Sequence, residues 1–254
     1  MSRGELHVGT SGWAYPWASF YPPDLRRQDY LTFLSRRFDT VELNTTFYHL
    51  PRPEAYARWA RETPDGFVFA AKLSRYITHM KRLSGVRDAL RLFFRGFRLL
   101  ESKRGPVLVQ LPPRFRADPS RLGRFLESAE KVATEIGGPD VRLAFEFRDE
   151  SWFASAPVLD LLRAHGAALA IAHSSRYPYP AGEPRTADWM YLRFHGPRDL
   201  FASRYGPAAL RPWAARIRMW IRTGDVYAYF NNDSGGHAPI DARTLRRLVE
   251  TPAP

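Results

Sequence analysis

The sequence predicts an α/β protein built as a single (β/α)8 barrel, the TIM-barrel fold, over residues 1–254. Short β-rich apolar runs alternate with longer amphipathic stretches along the chain, and eight such runs can be recognised. A length of 254 residues is typical of one barrel domain. No low-complexity linker and no short repeat of the solenoid kind divides the chain.

The predicted strands are mostly apolar, as expected of parallel strands that are buried on both faces. They lie at 5–9, 39–44, 66–72, 106–110, 141–147, 167–172, 188–194 and 225–230. Helices are predicted at 26–37, 53–62, 84–102, 119–136, 155–165, 207–223 and 240–250. Pro53 suits the first turn of its helix, and Gly166 suits a helix end. The Pro- and Arg-rich connection 173–187 is predicted to be a loop.

A doubly wound open sheet is the structural alternative to the barrel. That fold would be supported by a glycine-rich phosphate-binding turn after a strand, and no strand is followed by one. We therefore favour the barrel.

Composition narrows the functional classes. With 44% hydrophobic residues the chain can bury a core, and with no cysteine it has no disulfide and no thiolate metal site. No apolar stretch has the length of a signal peptide or of a membrane span. We therefore expect a soluble, cytoplasmic protein with no membrane partner.

The formal charge of +12 favours an anionic partner and leaves nucleic acid open as one. Only four of the 38 basic residues are lysines, so the excess is arginine. Many of these arginines fall on predicted helices, as at 91, 95 and 98, where a charged face is commonly just solvated. The charge is weak support for nucleic-acid binding.

Polar residues gather at the C-terminal ends of the predicted strands, which is where TIM-barrel enzymes carry their active sites. Because side chains alternate along a strand, residues two apart share a face. The pairs that do so are Glu42 with Asn44, Glu146 with Arg148, Arg193 with His195, and Asn231 with Asp233. Polar groups on buried strands are costly unless they are paired or wet, so the pattern predicts one polar pocket at the barrel mouth.

The pocket residues fall into two predicted groups. The catalytic group is Glu146 as general acid or base, His195 as its partner, and Glu42, which orients the substrate. The substrate-binding group is Lys72, Arg193, Arg148, Asn44, Trp13, Ser11, Tyr48, His79, Gln110, Asn231, Asn232 and Asp233, in which the three cations hold an anion.

Each assignment has a structural alternative. Glu146 could form an ion pair with Arg148 or Lys72 that closes the barrel, and His195 could be bonded to backbone. Residues 231–233 could simply close the turn after the last strand. The aromatic loop 13–25 could stack a sugar or a base, or it could cap the barrel.

Cofactors are left unassigned by the sequence. Glu42, Glu146, His195 and Asp233 are plausible divalent-metal ligands, but no tight ligand spacing supports a metal and no organic-cofactor motif is present. Glycosidase chemistry ranks low because Glu42 and Glu146 end strands that lie nearly across the barrel from each other, which suits a retaining mechanism poorly.

Several segments resemble the domain-of-unknown-function 72 family, the YecE-like proteins. They are GTSGWAYPW at 9–17, FYP at 20–22, FDTVELNTTFYHLP at 38–51, FVFAAKLSRYITHMKRL at 67–83, VLVQLPPRF at 107–115, AFEFRDESW at 144–152, YLRFHG at 191–196 and YAYFNNDSGGHA at 227–238. The resemblance covers nearly the whole chain in order and implies a (β/α)8 barrel with no assigned activity. The family motifs fall on the predicted pocket residues, whereas His173 stands where the family commonly has an aspartate.

Three functions are open on this basis. The first is an enzyme, a hydrolase or an isomerase, that acts on a small anionic, phosphorylated substrate. The second is a nucleic-acid-binding or phosphodiester-processing protein, like endonuclease IV by analogy of fold alone. The third is a non-catalytic sensor that uses the same pocket.

Overall fold

Eight parallel strands pair in sequence order and close into a barrel, with the last strand bonded to the first. This is seen in a computed structural model, which describes residues 3–136 and 141–251. The strands are β1 (Leu6–Ser11), β2 (Thr40–Leu43), β3 (Val68–Lys72), β4 (Arg104–Gln110), β5 (Leu143–Glu146), β6 (Ala168–His173), β7 (Met190–Phe194) and β8 (Val226–Phe230). The predicted (β/α)8 barrel is therefore confirmed.

The helices cover the outside of the barrel. They are α1 (Tyr30–Ser35), α2 (Thr45–Tyr48), α3 (Pro53–Glu62), α4 (Arg87–Phe97), α5 (Pro119–Glu135), α6 (Ala156–Ala164), α7 (Gly206–Trp220) and α8 (His237–Glu250). The connection between β6 and β7 has neither helix nor strand over 174–187, as predicted. No helix of the described residues is long and apolar enough to cross a membrane.

One predicted helix is interrupted in the structure. The window 84–102 was expected to be continuous, but α4 ends at Phe97 and a 3-10 turn follows over Arg98–Lys103. Glu101 in that turn has φ 55°, which an α-helix cannot contain. The turn redirects the chain into β4 within a few residues.

The barrel interior is filled in layers by side chains of alternating strand residues. The lower layers combine large aromatic residues from β8, from β7 and from the position just before β7 with small residues on β3, β5 and β6. They include Trp189, Tyr191, Tyr227 and Tyr229 packed against Ala70, Ala144, Ala168 and Ala170. These side chains fill the barrel interior on its N-terminal side. The next layer, toward the C-terminal ends of the strands, therefore forms the floor of the opening there, which we call the barrel mouth.

The N-terminus of α5 offers a small, local test of how the helices are held. The Asp118 side chain accepts a hydrogen bond from the Arg121 backbone N–H at 2.9 Å. Because this satisfies an otherwise unpaired helix donor, we expect Asp118→Ala to lower the free energy of unfolding by about 1 kcal/mol in urea denaturation. Asp118→Asn keeps the accepting oxygen, and equal losses in both variants would contradict the capping role.

Candidate functional site

A buried arginine forms the floor of the barrel mouth. Arg193 lies on β7, is fully buried, and uses all five of its N–H donors. Nε and Nη2 donate to the two carboxylate oxygens of Glu42 at 3.0 and 2.7 Å, and Nη2 also donates to Ser11 Oγ at 3.1 Å. Nη1 donates to Glu146 Oε2 at 2.7 Å and lies 3.4 Å from His195 Nε2. With no donor left over, this guanidinium is not available to bind a further anion.

The two carboxylates that hold Arg193 are ionised. Burial alone would raise the pKa of Glu42, but the charge and hydrogen bonds of Arg193 outweigh it and lower that pKa. Burial also opposes ionisation of Glu146, yet Arg193 and Arg148 together hold its pKa well below the usual value. Arg148 Nε donates to Glu146 Oε1 at 2.9 Å. Two carboxylates and two guanidinia therefore leave the floor electrically neutral.

The two carboxylates come from strands that lie nearly opposite, β2 and β5, and each lies 2.7 Å from a terminal nitrogen of the same guanidinium. The long Arg193 side chain bridges the narrow barrel. Since both groups are ionised, neither is the protonated carboxylic acid that a glycosidase needs.

His195 is a neutral imidazole in this setting. Burial lowers its pKa to about 4, although the nearby Glu146 carboxylate acts in the opposite direction. Its Nδ1 lies 3.1 Å from Asn231 Nδ2. The predicted acid–base pair of Glu146 and His195 is thus a carboxylate beside a neutral ring at neutral pH.

Two groups at the mouth have inverted ionisation. Burial, followed by the charge of Arg193, lowers the pKa of Lys72 to about 7. Burial raises the pKa of Asp233 to about 8, and the charge of Glu42 adds to that rise. At neutral pH the mouth therefore holds a protonated carboxylic acid and a partly neutral amine, which is the pattern that often marks functional sites.

Several polar atoms at the strand ends have no hydrogen-bond partner among the described residues. Asn44 Oδ1, Gln110 Oε1 and Asp233 Oδ1 are buried and unpaired. The amide nitrogens of the first two are occupied, by Ser11 at 3.2 Å and by His79 Nε2 at 3.4 Å. The Lys72 ammonium contacts the face of Phe47 at 4.0 Å from the ring centroid and takes part in no described hydrogen bond.

Aromatic side chains border the mouth. The Arg148 guanidinium stacks over the Tyr177 ring at 3.9 Å from the centroid, whereas Tyr48 is 74% exposed. Trp13 packs edge-on against Trp59 and lines a cavity of about 280 Å³ that also reaches Tyr15 and Asn44. The first loop is thus partly a cap and partly the wall of a cavity beside the mouth.

The structure brings most of the predicted residues together. Direct contacts join Ser11, Glu42, Asn44, Glu146, Arg148, Arg193, His195 and Asn231, and a second group joins His79 to Gln110. Asn232 is separate, because its Nδ2 donates to Ser203 O at 3.0 Å and to Asp241 Oδ2 at 2.9 Å below the loop after β8.

Two further residues show how strand parity decides position. Tyr191 was not predicted, yet its hydroxyl donates to Glu42 Oε2 at 2.6 Å, since it lies two residues before Arg193 on the same face. His173 has the opposite parity to the interior residues of β6 and faces the α7 side. There its Nδ1 lies 2.9 Å from the Tyr205 hydroxyl and its ring packs against Trp213. The residue that departs from the resembled family thus lies outside the floor.

Metal ligands are not assembled in the described part of the chain. No group of three or more His, Cys, Asp or Glu residues there is arranged to hold a metal ion. Glu42 and Glu146, two of the candidate ligands, are bonded to Arg193 instead.

Comparison with known proteins finds similarity to one family over nearly the whole chain. A family model described as "Protein of unknown function DUF72" matches residues 7–254. The UPF0759 protein YunF of Bacillus subtilis is 26% identical, with 96% of this chain and 95% of that protein covered. YecE of Escherichia coli K12 is also 26% identical, with coverage of 94% and 91%. A crystal structure of a DUF72 family protein from Thermotoga maritima superposes with a TM-score of 0.83 at 26% identity, covering 97% of this chain and all of that one.

Proposed function

This chain belongs to the DUF72 family, and since that family description assigns no activity, we propose a function from the site itself. The barrel mouth is the active site of an enzyme that binds a small hydroxylated molecule with an anionic group, such as a phosphorylated sugar, and transfers protons on it. Arg148 and Lys72 attract the anion, and Asp233 and Lys72 carry the proton transfers.

The set of unpaired polar atoms carries this proposal. A buried donor or acceptor without a partner costs about 1–3 kcal/mol, and the ends of β2, β4 and β8 each supply one, on Asn44, Gln110 and Asp233. The amide oxygens of Asn44 and Gln110 accept hydrogen bonds, so they suit ligand hydroxyl groups. A bound ligand that forms the missing hydrogen bonds would explain why these polar atoms have no partner in the protein itself.

The charges support an anionic ligand. The floor is neutral because Arg193 and Arg148 offset Glu42 and Glu146, and the protonated fraction of Lys72 adds positive charge at the rim. Arg148 is 10% exposed and uses only Nε on Glu146, so its two terminal nitrogens are available to donate in parallel. A phosphate or carboxylate is the complementary group.

The sequence analysis assigned proton transfer to Glu146 and His195. The site geometry and ionisation favour Asp233 and Lys72 for this role instead. A general acid must be protonated at the working pH and a general base must not be. Asp233 with a pKa of about 8 and Lys72 with a pKa of about 7 meet these conditions near neutrality. Glu146 and His195 support the reaction by fixing Arg193 and Arg148 in place.

The binding test compares Arg148→Met with Arg95→Met, an exposed arginine on α4 away from the mouth. Isothermal titration against a panel of phosphorylated sugars is expected to show saturable, salt-tolerant binding. Loss of a charge-assisted bidentate contact should weaken it about 10- to 100-fold in Arg148→Met alone.

Two results would count against this function. Equal weakening in both arginine variants would mean that any surface cation suffices. Binding only to short oligonucleotides, falling steeply as salt is added, would favour the nucleic-acid alternative. Saturable binding without conversion of any ligand would instead fit the sensor.

A further inference from the structure

Lys103 is buried and Lys72 is half-buried, and the two lysines differ sharply in their surroundings. Lys103 is 9% exposed and donates to the carbonyl oxygens of Ala60 and Thr63 at 2.6 Å each and to Thr63 Oγ1 at 3.2 Å. All three of its protons are therefore satisfied. The ammonium of Lys72 makes none of these contacts with the described residues, and it lies against the Phe47 ring.

The groups around Lys72 do not hold it in the charged form. Arg193 and Arg148 repel an ammonium, and the carboxylates that attract it, Glu146 and Glu42, are bonded to those arginines. From the adjoining segment 76–80, His79 is neutral because burial, followed by the charge of Lys72, lowers its pKa to about 4. Burial and the arginines lower the pKa of Lys72 to about 7, so near neutral pH a substantial fraction of these side chains is free amine.

We propose that Lys72 is a nucleophile that forms a covalent imine with an aldehyde or ketone carrying an anionic group. A neutral amine, partly shielded from water and beside a cationic group, is the arrangement that activates a lysine for this reaction. The inference rests on the proposed function, because it uses the same mouth and the same anion contact at Arg148. It narrows the substrate to an anionic carbonyl compound.

The step is balanced without an external oxidant or reductant. The lone pair of Lys72 Nζ forms a bond to the carbonyl carbon, and the C=O π electrons move to oxygen. The nitrogen loses a proton and the oxygen gains one, giving a carbinolamine. A second proton lets that oxygen leave as water as the C=N bond forms, and Asp233 is the protonated acid at the mouth. The protonated imine then withdraws electrons from the adjacent carbon, which eases proton removal there.

Reductive trapping tests the proposal in the intact protein. The protein is incubated at pH 7 with sodium cyanoborohydride and, separately, glyceraldehyde 3-phosphate, glyoxylate or pyruvate, and its peptides are analysed by mass spectrometry. The chain contains only four lysines, and Lys81 and Lys131 are exposed. Because an unperturbed lysine is neutral in roughly one molecule in 2,500 at this pH, we expect Lys72 to be modified at least about tenfold faster than either.

The variants separate nucleophilic from electrostatic roles. Lys72→Arg retains a cation but cannot form the imine, so the Lys72-dependent adduct should disappear, and Lys72→Met should behave in the same way. If none of the three probes modifies Lys72 faster than Lys131, the imine is ruled out. Should phosphorylated sugars still bind in an Arg148-dependent manner in that case, the proposed function stands without it. If Lys72 is not modified and phosphorylated sugars do not bind either, both the imine and the proposed function are ruled out.

Discussion

Replacement of Arg193 by methionine is expected to lower the free energy of unfolding by about 3–5 kcal/mol or to prevent folding altogether. The guanidinium is fully buried and bonds both Glu42 and Glu146, which are themselves buried. Its removal leaves two carboxylates in the barrel interior with their main counter-charge gone. Breaking a buried ion pair from one side is costly because the remaining charge has lost its solvent and its partner.

Urea denaturation at pH 7 measures this loss, with Arg163→Met as the matched control. Arg163 pairs with Asp160 on the surface at 2.7 Å, where both side chains are about half exposed or more, so its loss should cost under about 1 kcal/mol. An Arg193→Met loss no larger than that of the control would mean that the floor is not held by this arginine.

The pH dependence of the same variant gives an independent check. In the native protein the pKa values of Glu42 and Glu146 are lowered, so their pairing contributes stability above the unfolded pKa of about 4.3 that is lost as the pH falls through the folded values. Without Arg193, burial should raise both pKa values instead. Relative to the native protein, the variant is then expected to gain stability as the pH falls from 7 toward 5.

The sequence was sufficient to predict the barrel and to place several polar side chains on one interior face of it. Strand parity correctly predicted that Arg193 and Glu146 face the same interior, because alternation along a strand is set by the backbone alone. Parity also explains the exceptions. Asn232 lies between two mouth residues in sequence and therefore points the other way, and His173 faces the helices for the same reason.

The full set of ion-pair partners and the ionisation states of the buried groups could not be predicted from the sequence. The sequence analysis named Arg148 and Lys72 as possible partners of Glu146, and the structure shows the Arg148 pair at 2.9 Å. The shorter bond of Glu146, at 2.7 Å, is to Arg193, which lies two strands away on β7. Such a contact depends on barrel closure and on the length of one side chain. The inverted ionisation of Asp233 arises mainly from burial, which is fixed only when all eight strands are in place.

Removal of the two unusual titrating groups is expected to make the protein more stable. In Asp233 the folded pKa is raised from about 3.9 to about 8, so its contribution is fully favourable only below about pH 4 and is lost as the pH rises through 8. Asp233→Asn removes this penalty. The gain in unfolding free energy should be small at pH 5, about 1–3 kcal/mol at pH 7, and larger still near pH 9.

The lysine variant should show the opposite pH trend. The folded pKa of Lys72 is lowered from about 10.4 to about 7, so the native protein loses stability as the pH falls from above 10 toward 7. Lys72→Met should therefore gain about 1–3 kcal/mol at pH 7, and this gain should shrink steadily toward pH 10. Two substitutions at one site that stabilise with opposite pH slopes cannot be explained by a general improvement in packing.

Urea denaturation of both variants across pH 5–10 decides the question, with binding of phosphorylated sugars measured on the same samples. A stability gain that accompanies loss of binding is the expected sign of groups kept for function at a cost to the fold. If Lys72→Met instead lowers stability at pH 7, its ammonium is held by the native structure as Lys103 is, and it is neither the base nor the nucleophile of this site.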